Sequence, residues 1–179
     1  MEDLSHILGA LGMIESAVPG GLLQGRLNKP EPRIKSGVIL VGLRNATGGR
    51  DISETVKTAY IPCYGGESAK TERQALVVYG DENVGPHLTT RGPDLYGDSY
   101  LCAPGKRDQL VLKEARHGLG GVSGWDAAET KDESPELLGT VQRTTWAYLM
   151  SALSEGDETW SEACKVFKEL ARGVVDDKE

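Results

Sequence analysis

Cysteine is scarce in this chain and scattered. Cys63, Cys102 and Cys164 are the only three, and none sits in C-x-x-C spacing. An odd, dispersed set argues against a disulfide framework or a zinc site and reads as reduced intracellular thiols. Long apolar runs are missing as well. No span of about 20 apolar residues exists, so no transmembrane helix is expected. Positive charge is in deficit: 20 basic residues face 27 acidic ones, a net charge of −7. That balance argues against nucleic acid or an anionic membrane as a partner. The start, Met1-Glu2-Asp3, is acidic where a secretion signal would be basic, so a cytoplasmic location is expected.

What is present suits one domain. The chain has 179 residues, and a chain near this size buries about 70% of its unfolded surface. Three apolar runs read as strands. Ser36–Leu43 and Gln74–Tyr79 are apolar without alternation, the pattern of strands covered on both faces in a parallel sheet. Gln109–Ala115 is the third, and its Lys113 and Glu114 predict a sheet edge.

Four segments read as helices. Residues 3–18 carry Leu4, Ile7, Leu8, Leu11, Ile14 and Val18 on one face, at helical spacing. Residues 52–58 suit a short helix. Pro135–Leu153 carries Leu138, Val141, Thr145, Tyr148, Leu149 and Ala152 as its stripe, with Ser134 as cap and Pro135 in the first turn. Residues 160–174 carry Trp160, Ala163, Cys164, Phe167, Leu170 and Val174. Thr159 to Glu162 has capping-box spacing, and the tail Asp176–Glu179 is expected to fray. Strands alternating with helices predict an α/β, three-layer fold with a small, mainly parallel sheet flanked by helices.

Functional loops in such sheets gather at the carboxyl ends of the strands. Two loops qualify: Gly80-Asp81-Glu82-Asn83 and Arg116-His117-Gly118-Leu119-Gly120-Gly121. A histidine just past a strand end is where an α/β enzyme holds a general base. The glycines after it nearly fit G-x-G-x-x-G. The third glycine is replaced by Ser123 and no helix opens there, so no dinucleotide cofactor is expected. His87, Asp94 and Asp98 follow no ligand spacing, so no metal is expected either.

These stretches carry a resemblance. Ala75-Leu76-Val77-Val78 leading to Gly80-Asp81, then Gly85-Pro86-His87-Leu88-Thr89 with Arg91-Gly92 and Asp94, begin it. His117-Gly118-Leu119-Gly120-Gly121, Trp125-Asp126-Ala127-Ala128-Glu129-Thr130 and Gln142-Arg143-Thr144-Thr145-Trp146-Ala147-Tyr148-Leu149 complete it. Over most of residues 32–165 the chain resembles the C-terminal part of a serine-dependent α/β-hydrolase, of the dienelactone hydrolase and chlorophyllase-like esterase group. The resemblance implies a partial α/β-hydrolase fold and a small ester-type substrate for any active form. It makes His117 the triad base, with the triad acid after the preceding strand. The nucleophile would come earlier, in the order Ser, acid, His.

Two departures follow. No serine, cysteine or aspartate sits in a G-x-[nucleophile]-x-G elbow; Gly121-Val122-Ser123-Gly124-Trp125 fails at its last glycine. The acid position falls on Asn83, with Asp81 as the substitute if its loop turns it inward. An amide accepts a hydrogen bond from imidazole but cannot stabilise imidazolium by charge, a change that costs a serine protease about four orders of magnitude in turnover. The expected domain is therefore a single truncated one. Residues 1–35 form the helix and loop before the missing elbow, and 36–179 the later strands, His loop and helices. The expected chain is a hydrolase-family protein without its nucleophile. Its alternative is a non-catalytic protein that self-associates through an exposed sheet edge at Val38–Leu43.

Overall fold

A computed structural model describes residues 33–42, 72–84, 91–122, 133–170 and 172–178 of the chain. All of its regular elements lie in the unit Lys35–Glu179. The expected helices over 3–18 and 52–58 fall outside the described residues.

Four strands form one sheet in the order β1 (Gly37–Leu40), β2 (Ala75–Gly80), β3 (Arg107–Leu112), β4 (Gly173–Lys178). β1 and β2 are parallel, as are β2 and β3; β4 runs antiparallel to β3. The fold is thus mixed α/β. A 3-10 helix, Pro93–Gly97, continues directly into α1, Asp98–Cys102. α2 is Pro135–Leu153 and α3 is Thr159–Glu169. Among the described residues no helix is long and apolar enough to cross a membrane.

β2 is the centre of the core. All six of its residues are buried, as its unbroken apolar run requires of a strand covered on both faces. Successive side chains then sort by the two-residue period of a strand. Leu76 and Val78, with Leu110 and Leu112 of β3, join the larger cluster, where α2 and α3 contribute Val141, Tyr148 and Phe167. Val77 and Tyr79 join the smaller one, built on Tyr96 with Tyr100 and Val111 at its margin. Helical segments therefore cover β2 on both faces. Burying one such aliphatic side chain stabilises the fold by roughly 1.5–3 kcal/mol.

Local signals explain the helix limits. The Leu137 amide donates to Ser134 Oγ at 3.2 Å, and Pro135 occupies the first turn, as expected of a proline that gives up an amide no helix needs there. The start of α3 differs from its predicted capping box, because Glu158 is the cap residue, with no side-chain cap bond, and Thr159 is already the first helical residue. Asp157 Oδ1 accepts from the Thr159 amide at 2.8 Å, and Ser151 Oγ accepts from the Trp160 amide at 2.9 Å. The orphan amides are met from the preceding loop and from α2 instead.

Three boundaries correct the sequence reading. β1 stops at Leu40 because Val41 takes φ 44°, a conformation that a β-branched residue rarely adopts within a strand. β3 ends at Leu112 and has neighbours on both sides. Lys113 and Glu114 therefore mark the turn beyond it, where Glu114 has φ 57°, and not a sheet edge. The last helix ends at Glu169. Residues 173–178 are the strand β4, with Val175 buried against the core and Val174 exposed. The apolar pair Val174-Val175 belongs to a period of two, not to the helical stripe.

Candidate active site

The parallel register pairs Gly80 with Leu112, so the chain leaves β2 and β3 at the same end of the sheet. Two backbone bonds fasten the two loops and a third closes the first loop on itself. The Asp81 amide donates to Leu112 O at 3.0 Å, Glu82 to Ala115 O at 3.0 Å, and Asn83 back to Gly80 O at 3.1 Å. Side chains add two more. Asp81 Oδ1 accepts from the Glu114 amide at 2.7 Å, and Arg116 Nε meets Glu82 Oε2 at 3.3 Å. Gly80 is required at the crossing, since a Cβ there would stand 1.9 Å from the Ala115 carbonyl oxygen.

This lacing brings two of the three sequence candidates together. Asn83 Oδ1 lies 3.3 Å from Nδ1 of His117. The amide oxygen carries no hydrogen, so Nδ1–H donates and Nε2 keeps its lone pair. That is the tautomer a general base needs, on a residue that is exposed. Asn83 itself is fully buried, and its Nδ2 has no hydrogen-bond partner among the described residues. A buried orphan donor costs about 1–3 kcal/mol. The third candidate, Asp81, is turned to the Glu114 backbone and is exposed. Its hydrogen bond serves the strand-end turn.

The glycine-rich stretch after His117 is a compact turn. Gly121 and Val122 both donate to Gly118 O at 2.9 Å, and Leu119 is driven wholly into the larger core cluster. Gly120, at φ 80°, accepts from the Ser134 amide at 3.1 Å and so ties the turn to the cap of α2. A side chain at 120 would collide with Ser134 O and Leu138 N, each 2.8 Å from its Cβ. These glycines shape the chain beside the imidazole.

One wall of the site was not foreseen. Residues 93–102, to which the sequence reading assigned no element, fold into the 3-10 helix and α1. It places the buried Tyr96 ring 6.2 Å from the His117 ring and 6.3 Å from Tyr79. Arg91 anchors that segment, donating to Asp98 at 2.9 and 3.1 Å and to Asp94 at 2.7 and 3.2 Å. The two carboxylates, chiefly Asp98, raise the Arg91 pKa further. Asp94 and Asp98 are thereby committed to a guanidinium, and His87 lies outside the described residues. The signal available in the sequence was Gly92-Pro93-Asp94, since proline favours a first helical turn.

Three serines follow a glycine at the spacing of an elbow and lack the second glycine. They are Ser68 in Gly66-Glu67-Ser68-Ala69-Lys70, Ser99 in Gly97-Asp98-Ser99-Tyr100-Leu101 and Ser123. Ser99 is buried in α1, on a helix and not on a strand-to-helix turn, and the other two lie outside the described residues. No family model matches the chain, and neither a curated protein nor a solved structure matches it.

Proposed function

We propose that this chain is of α/β-hydrolase type, derived from a serine ester hydrolase, and that it keeps the imidazole arm of that centre without completing acyl transfer. The observation that carries the reading is the Asn83–His117 contact of 3.3 Å across the ends of two adjacent parallel strands. Base and orienter in one hydrogen bond, one loop apart in strand order, are the second half of a triad. An amide in the acid's place orients the ring and adds no charge to hold a proton on it. A base without an activated hydroxyl does not form an acyl intermediate. A small ester is the substrate class for any form in which a nucleophile is supplied.

A fluorophosphonate probe tests this directly. The expected result is no covalent adduct. Stoichiometric serine labelling that disappears in His117→Ala would overturn the inactive reading, and the labelled serine would name the nucleophile.

The second reading is a non-catalytic protein that pairs through its sheet edge. The observation in its favour is β1. Among the described residues it is bonded only to β2, and Val38, Ile39 and Leu40 are half-buried. An apolar edge strand is a template for another copy. Sedimentation at micromolar concentration should show a dimer or larger species that Val38→Lys disperses. A monodisperse monomer would remove this alternative.

A further inference from the structure

At the opposite end of the strands from His117, a cleft of about 380 Å³ opens between the start of β3, α3 and β4. Its size falls in the range of small-molecule sites. Its contents are unlike a chance surface dent. Asp108 is 5% exposed, and its carboxylate accepts a hydrogen bond from the Trp160 side chain. Burial, the largest influence, pushes its pKa up, against the pull of Trp160 and Lys106. The Trp160 ring is itself fixed edge-on against Tyr148, 5.3 Å between centroids. Cys164 and Val175 supply apolar wall; burial pushes the Cys164 thiol up to about 11, so it stays neutral. Around the mouth stand the exposed Lys106, Lys165 and Lys168, with the exposed Asp177 beside them. Among the described residues none of these three lysines is held in an ion pair.

A buried carboxylate therefore lies at the bottom, and at the rim three ammonium groups outnumber the one exposed carboxylate of Asp177. A buried carboxylate with a single indole donor retains acceptor capacity, and a ligand that gives it a cation recovers part of its lost hydration. The rim favours an anion. We propose that this cleft binds a small zwitterion, its ammonium end on Asp108 and its anionic end on Lys106, Lys165 and Lys168. The site is distinct from the His117 centre and does not depend on the hydrolase reading.

The test follows the Trp160 indole N–H resonance of the full chain during titration with three probes. These are 4-aminobutyrate with both charges, butylamine with the ammonium alone, and butyrate with the carboxylate alone. The expected result is a saturable shift with 4-aminobutyrate at an affinity at least tenfold tighter than with either single-charge probe. Asp108→Asn should weaken it at least fivefold. Lys165→Ala, on the exposed face of α3, should weaken it at least twofold without threatening the fold. The absence of a saturable shift would overturn the proposal. So would butylamine or butyrate binding as tightly as 4-aminobutyrate, or unchanged affinity in both variants.

Discussion

The amide oxygen of Asn83 and Nδ1 of His117 stand 3.3 Å apart, although 34 residues separate them in the chain. Asn83→Asp puts a negative charge at that contact. An opposite charge this close raises the pH at which an imidazole protonates by about 1–3 units. The second carboxylate oxygen would take the place of Nδ2, which has no partner among the described residues. The variant's buried charge is thus compensated only while the ring is protonated. Stability should fall as pH rises past the imidazole's titration. Titrating the His117 ring by NMR in both proteins checks the first effect, and thermal melts across pH 5–9 check the second. An unmoved titration would mean that the contact is not made in solution.

Asp81 is the control for that experiment. Its carboxylate holds the Glu114 amide at 2.7 Å, in a turn where Glu114 has φ 57°. Asp81→Ala should cost about 1 kcal/mol, the usual net worth of such a bond, read as a lowered denaturation midpoint. The His117 titration should stay where it is. A large movement of that titration would restore Asp81 as the acid partner of the imidazole.

How much was legible in advance follows from the range of each signal. The loops of Asn83 and His117 could be placed at one end of the sheet because they follow the second and third strands of an α/β pattern. That the two residues pair was implied by the resemblance alone, which put Asn83 in the acid's place. The 3-10 helix and α1 could not be read that way. Tyr96 is buried by tertiary contacts with Tyr79 and His117, and the Arg91 anchor spans only seven residues of polar sequence. β4 was hidden for a different reason. Val174 continues the spacing of the α3 stripe, and only pairing with β3 decides that residues 173–178 extend. The start of β3 was missed because Arg107 and Asp108 are charged yet buried, which no hydropathy pattern anticipates.

Tyr148 gives a prediction at the alkaline end. Its phenol is buried beneath α3, and burial pushes its pKa up to about 12, opposed by a hydrogen bond with Ser36. The unfolded phenol titrates near 10. A group whose folded pKa is raised supports the fold fully below its unfolded value and loses that support as pH rises through the folded one. Wild-type stability should therefore decline between about pH 10 and pH 12. Tyr148→Phe cannot ionise, so its melting temperature should fall less steeply across that window. Parallel curves for the two proteins would show that Tyr148 does not carry the loss.

Asp108 allows the same reasoning with a carboxyl, and here the wild-type residue is the less stable choice. Burial raises its pKa above the ordinary carboxylate value, with Asp177 adding to the effect and Trp160 and Lys106 opposing it. The protonated form is favoured in the fold, so its contribution is complete below the unfolded pKa of about 3.9 and is lost as pH rises through the folded value. At neutral pH the ionised group is a cost. Asparagine has nearly the same shape, keeps an oxygen to accept from the Trp160 indole, and never ionises. Asp108→Asn should thus melt at a higher temperature than wild type at pH 7, with the difference shrinking toward pH 3–4. Melting curves over that range decide it, and a variant less stable at pH 7 would contradict the argument. A stabilising substitution at a residue the chain nevertheless keeps charged is the pattern of a group retained for what it binds.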